Sequence, residues 1–260
     1  MTQDDPYGTT RRPSGRFDEH AALASEVISI LKDRQVVGPS GARQIAVDYL
    51  VRVVTTRVDF DAALVLEEMS AYRLTHDALI DLYIPKAAEH LGDMWMTSDL
   101  DFASVTVGAM RLQALLGEAA HGLTRVHTDH SDTPHALVVV PEAEQHFLGA
   151  SVVAAQLRRL GCDVGISINE SSAHLLGRVE YDRPDMVLFS CARASALETI
   201  RRSVKKIRQL GDVPPVLALG GPCAVIAETT RDQTGVDLVT NTAKDVVGFV
   251  TKRKKALGRR

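Results

Sequence analysis

The chain has 260 residues, 45% of them hydrophobic and 24% charged, with a formal net charge of −3 and a pI near 6.3. This is the composition of a globular protein that can bury a substantial core, and it gives no global electrostatic pull toward nucleic acid. No apolar run approaches the ~18 residues of a membrane-spanning helix, and Cys162, Cys191 and Cys223 form no CxxC pair, so a cytoplasmic protein with reduced thiols is expected.

Residues 1–17 are polar, contain Pro6, Gly8, Pro13 and Gly15, and lack the apolar core of a signal peptide, so a disordered tail is expected. Helical spacing then begins. Leu23, Val27, Ile28 and Leu31 predict a helix over 18–33, and Ile45, Tyr49, Leu50 and Val53 predict a second over 44–57. Asp59 and Asp61 are placed to cap a third through Ala63, Leu64, Leu66 and Met69. Thr75 and Asp77 open a fourth, in which Pro85 is expected to kink rather than stop the helix, because the pattern resumes at Ala87, Leu91 and Trp95. A fifth spans 102–123. The sum is a helical bundle over 18–127, and the polar stretch 128–134 reads as a linker.

After the linker the rhythm changes to short apolar runs alternating with helical stretches. The strands are expected at 136–140, 164–168, 186–190, 215–219 and 236–239. The helices between and after them are expected at 150–160, 171–181, 196–210, 224–230 and 243–255. Five such units predict a doubly wound, flavodoxin- or Rossmann-like parallel sheet of five strands over 135–256, followed by a basic tail at 257–260. Ligands of such sheets bind at the carboxyl ends of the strands.

Three of those ends carry suggestive chemistry. After the first strand comes Glu144-Gln145-His146-Phe147-Leu148-Gly149, where His146 can ligate a metal through one ring nitrogen while Glu144 holds the other N–H. Gly149 leaves room for close approach of a bulky group. The third strand ends in Ser190-Cys191-Ala192 and the fourth in Gly220-Gly221-Pro222, which lets backbone lie flat against a planar group. Taken singly, each has a plain alternative: a solvated histidine, an ordinary loop hydroxyl, a tight turn. Together on strands one, three and four they point to one ligand. Glu67-Glu68, Asp99 and Asp101 read as solvated helix faces, Cys191 as a small buried residue, and no catalytic constellation stands out.

A helical bundle before an α/β domain with these three motifs resembles the cobalamin-binding module of methionine synthase and its relatives. The resemblance implies that His146 is the lower axial ligand of cobalt, replacing dimethylbenzimidazole, and that Glu144 orients it. It implies that Gly149, Ser190, Gly220 and Gly221 accommodate the nucleotide tail. The chain departs from the family pattern in having Glu144 where many members have Asp, and Ala192 where a leucine is usual. The bundle segments Leu91-Gly92-Asp93-Met94-Trp95 and Leu100-Asp101-Phe102-Ala103-Ser104-Val105-Thr106 are similar to the cap of cobalamin photoreceptor regulators, with Trp95 over the cofactor. The Glu-His pair of the adenosylcobalamin-dependent repressors is absent at Val105-Thr106, so the hydroxo or aquo form of cobalamin is favoured over adenosylcobalamin. Without a MerR-type DNA-binding domain, the chain is most similar over 60–250 to the AerR/PpaA-type antirepressors of photosynthetic bacteria.

That resemblance implies a light-responsive transcriptional regulator, not an enzyme, partnered by a redox-responsive repressor of the CrtJ/PpsR type. DNA would be touched only through the partner or through the basic run at Lys252-Arg253-Lys254-Lys255 with Arg259-Arg260, which is equally a solvated helix end. Two alternatives stay open: a methyl-carrying corrinoid subunit of a methyltransferase, and a flavodoxin-like module in which His146 is incidental. His90, beside the cap tryptophan, reads either as an upper-face group or as a solvated helix histidine.

Overall fold

The computed structural model describes residues 39–71, 73–121, 133–142, 144–211, 213–222 and 229–258. The expected tail at 1–17, the helix at 18–33, most of the linker, Cys223 with most of the helix expected at 224–230, and Arg259-Arg260 lie outside the described residues. Helix α1 spans Pro39–Thr56 and α2 spans Ala62–Ala71. Asp61 starts α2 as expected, its Oδ1 accepting the N–H groups of Ala63 and Leu64 at 2.8 and 3.1 Å. Helix α3 is continuous through three segments, His76–Ala78, the π turn Leu79–Tyr83 and Ile84–Met96. Thr75 caps it through Ala78 N–H at 3.1 Å. Pro85 does not stop the helix. The π turn lies immediately before it, with Ile84 N–H reaching back to Leu79 O, and so absorbs the proline ring and its missing donor. Helix α4, Phe102–Ala120, is capped by Asp101, whose Oδ1 accepts Ser104 N–H at 2.7 Å.

Three acids read from the sequence as solvated have partners, among them Asp101 as this cap and Glu68 as the acceptor of Tyr49 Oη and of both terminal nitrogens of Arg57. Asp99 likewise accepts from Thr97 Oγ1.

The second half alternates β1 (His135–Val140), α5 (Leu148–Arg159), β2 (Asp163–Ile168), α6 (Ser172–Asp182), β3 (Met186–Ser190), α7 (Leu197–Ile207), β4 (Val216–Gly220), α8 (Thr230–Thr234), β5 (Leu238–Val239) and α9 (Ala243–Ala256). The strands form one parallel sheet in the order β2-β1-β3-β4-β5. Alternate residues feed two cores. Ala136, Val138, Met186, Leu188, Val216 and Ala218 face α5 and α9. Leu137, Val139, Val187, Phe189, Leu217 and Leu219 face α6 and α7. Strands covered on both faces read as unbroken apolar runs, which is what made them visible in the sequence. The fourth strand begins one residue later than expected because Pro215 has no N–H for the ladder, and Val216 N–H is the first to donate, to Asp185 O at 2.9 Å.

Helix α5 serves both halves. Ala150, Ala154 and Leu157 are in the sheet core, whereas Val152 and Ala155 are buried in the bundle core beside Leu50, Ile80 and Leu112. Its far end is tied to the π turn: Arg159 pairs with Asp77 at 2.9 Å and with Asp81 at 2.5 Å, and Gln156 donates to Asp81 at 3.0 Å. These groups are partly exposed, so Arg159→Ala is expected to cost about 1 kcal/mol of global stability. Its larger effect is expected to be local, as faster amide exchange in α3 and unchanged exchange in α7, read by hydrogen–deuterium exchange.

Cys191 is buried, as expected; Cys162 is buried too, and burial pushes its thiol up to about 11. Among the described residues no helix is long and apolar enough to cross a membrane.

Candidate functional site

Strand order 2-1-3-4-5 puts the topological switch between β1 and β3, and the loops leaving these two strands carry the histidine and serine motifs. Glu144 joins them. Its side chain is 1% exposed and carries two sets of hydrogen bonds. Oε1 accepts His146 Nδ1–H at 2.5 Å and the backbone N–H groups of Gln145 and His146 at 2.9 and 3.2 Å. Oε2 crosses to the β3 loop and accepts Ala192 N–H at 3.2 Å. Burial pushes the carboxyl's pKa up, but the bonds from His146, Ala192 and Gln145 outweigh it and hold the group below its ordinary range. An ionised carboxylate can only accept, so Nδ1 carries a proton, and in the neutral form of the ring the lone pair is on Nε2. The His146 side chain is 57% exposed. This is the arrangement of a metal-ligating imidazole whose tautomer and ring direction are set by a carboxylate.

The β3 and β4 loops complete the cluster. Ser190 and Gly220 are cross-strand neighbours, and Cys191 N–H donates to Gly220 O at 2.9 Å. A Cβ placed on Gly149 would meet only Ser190 Oγ, at 3.8 Å, so the space between the histidine loop and Ser190 is not filled by the chain's own packing. The glycine pair differs. A Cβ on Gly220 would lie 2.8 Å from Thr240 O, and Gly221, at φ +124°, has Cys191 carbonyl in the place of a Cβ. The chain's own backbone fills the space beside both glycines, which are required by loop packing before any ligand is considered.

Thus the fold brings Glu144, His146, Gly149, Ser190, Gly220 and Gly221 together. Trp95 belongs to the bundle, at the end of α3, and is 50% exposed, so it is not a core tryptophan. Met96, beside it in the chain, and Phe102 and Met110, on α4, are also exposed. His90 is 3.6 Å from Asp48 across the bundle, a pairing that neither sequence reading included.

Sequence reasoning missed two loop contacts. One is the Ala192 N–H, where the side chain drew attention and the backbone does the bonding. The other is Asn241, after β5, whose Oδ1 accepts Gly221 N–H at 2.7 Å. The only sequence signal for Asn241 was its place in a polar turn, Thr240-Asn241-Thr242, at a strand end.

Comparison with known proteins agrees with this geometry. Residues 134–248 match the B12 binding domain family. The chain is also 31% identical over 178 residues to the "Uncharacterized 20.5 kDa protein in bchF-crtJ intergenic region" of Rhodobacter capsulatus, across 68% of this chain and 93% of the relative. The chain belongs to the family of that relative, and its residues 134–248 carry the match to the B12 binding domain. Its fold resembles that of the monomethylamine corrinoid protein of Methanosarcina barkeri, with a TM-score of 0.64 at 11% identity over 80% of this chain and 95% of that one. A cobalamin-binding protein from Desulfitobacterium hafniense superposes more loosely, with a TM-score of 0.41 at 16% identity over 81% of this chain and 97% of that one.

The residues of this family member fit the cofactor. Among the described residues no group of three His, Cys, Asp or Glu side chains could cage a metal ion. A single oriented imidazole suits a metal whose remaining ligands come mainly from a macrocycle.

Proposed function

We propose that this protein is a cobalamin-dependent, light-responsive antirepressor that holds its cofactor base-off with His146 on cobalt. It acts by contact with a redox-responsive repressor of the CrtJ/PpsR type, not by catalysis. The observation that carries the cofactor half is the Glu144–His146 pair, which presents Nε2 at the carboxyl edge of the sheet. The relative in the bchF-crtJ intergenic region supports the regulatory half. Bound cobalamin would supply a visible-light-absorbing cobalt centre with an exchangeable upper ligand.

The chain's own residues do the rest. Glu144 fixes the ring of His146, and Gly149 and Ser190 leave room for the tail. Gly220 and Gly221 bring the β4 loop against the β3 loop. Trp95 and the exposed face of α4 would cover the upper side. Thr106, where the adenosylcobalamin-dependent repressors have a histidine, turns its hydroxyl to its own backbone, donating to Phe102 O at 2.7 Å. That leaves no imidazole there and favours the hydroxo or aquo form. Helix α5 begins just after His146 and is buried in both cores, so a change at the loop that favours one bundle arrangement over another can be transmitted along it.

The second reading, a methyl-carrying corrinoid protein, is favoured by the fold likeness to the monomethylamine corrinoid protein. Light separates the two. Protein loaded with hydroxocobalamin is expected to change its affinity for the repressor at least about tenfold between dark and illumination, measured by pull-down and by the repressor's DNA binding. Equal association in both conditions, with methyl transfer to cobalt by a partner enzyme, would establish the second reading instead.

A further inference from the structure

We infer that Asn241 is a positioning residue of the cofactor site, holding the glycine pair Gly220-Gly221 in the conformation on which the nucleotide tail rests. The inference builds on the cobalamin reading above. Gly220 and Gly221 are adjacent, and two glycines in sequence leave a loop with more backbone freedom than any other pair. The native loop nevertheless needs one unusual conformation, Gly221 at φ +124° with its backbone against Cys191. Gly221 N–H donates to Asn241 Oδ1 at 2.7 Å, from a loop on the next strand. On the other side of the pair, Cys191 N–H donates to Gly220 O at 2.9 Å, and Ala192 N–H reaches Glu144 at 3.2 Å.

Asn241 is therefore the far anchor of a hydrogen-bonded run across the sheet's carboxyl edge, from His146 through Glu144, the β3 loop and the glycine pair. Because a backbone N–H can only donate, the orientation of the Asn241 amide is decided: Oδ1 faces Gly221, and the two Nδ2 donors are left on an exposed side chain. Without that anchor the glycine pair is free to sample other turns, and the tail loses a preformed surface.

The test compares cobalamin with cobinamide, the same corrin lacking the nucleotide tail, on the full chain. Release of each ligand is timed for wild type, Asn241→Ala and Asn241→Asp, with thermal unfolding recorded alongside. Loss of one anchoring hydrogen bond is expected to speed cobalamin release about fivefold to tenfold in Asn241→Ala. Cobinamide release is expected to stay within about twofold, with the absorption spectrum of the bound corrin unchanged. Asn241→Asp keeps the acceptor and is expected to restore near-wild-type release. Equal acceleration for both ligands, or none for either, would overturn the positioning role. Failure of wild type to bind cobalamin in a His146-dependent way would instead overturn the reading beneath it, and this inference with it.

Discussion

Gly221→Ala is expected to be among the most damaging single substitutions at the site, costing about 3 kcal/mol or more of folding stability. Two effects coincide. The φ of +124° lies where L side chains are strained, and an added Cβ would be driven into the Cys191 carbonyl, with the carbonyl carbon only 2.9 Å away. Neither contact is with a flexible side chain, so relief requires separating the β3 and β4 loops. Urea unfolding should show the midpoint falling with little change in slope. Gly149→Ala is the matching control. Its Cβ would make an ordinary contact with Ser190 Oγ at 3.8 Å, in the first turn of α5 where alanine is the better helix former. Its stability is expected to be unchanged or slightly raised, while cobalamin binding weakens because the gap beside Ser190 is narrowed. Equal stability losses in the two variants would show that the glycines are not distinguished as described.

The second large effect is expected at Glu144. Glu144→Ala removes the acceptor of four hydrogen bonds from a buried position and leaves the donors of two loops without it. A loss of about 2 kcal/mol of stability is expected. Cobalamin affinity is expected to fall about 10- to 100-fold, the usual consequence of removing the partner that orients a metal ligand. Glu144→Asp is one methylene shorter and is expected to keep the bond to His146 while losing the bridge to Ala192. It should therefore retain most of the affinity and lose part of the stability. If Glu144→Asp instead matched Glu144→Ala in affinity, the bridge and not the orientation of His146 would be the part that matters.

The chemistry of the first loop was legible because it is local: a carboxylate two residues before a histidine can bond it without help from the rest of the fold. The strands were legible because burial on both faces writes itself as apolar runs such as 136–140 and 186–190. The fifth run narrows from 236–239 to Leu238–Val239, since Asp237 turns its carboxylate to Leu217 N–H and Arg208. The π turn was hidden, because apolar spacing passes through it unbroken and only Pro85 marked the place.

The bonds from Glu144 to Ala192 and from Asn241 to Gly221 were hidden for another reason. They join residues 48 and 20 positions apart, and sheet order alone makes them neighbours. In each the partner is a backbone N–H, a group present at nearly every position and therefore silent in a sequence. The sharing of α5 between two cores was equally silent, since apolar residues such as Val152 and Ala154 read alike in sequence whichever core they enter.

The central claim is that His146 binds cobalt through its imidazole. The most direct measurement is electron paramagnetic resonance of protein loaded with cob(II)alamin, prepared with ordinary histidine and with histidine labelled with the heavy nitrogen isotope. Coordination by His146 predicts that the nitrogen splitting changes from triplets to doublets on labelling, and that it disappears or reverts to an unlabelled pattern in His146→Ala. Triplets that persist in the labelled wild type would mean that the cofactor keeps its own base on cobalt, and would contradict the account.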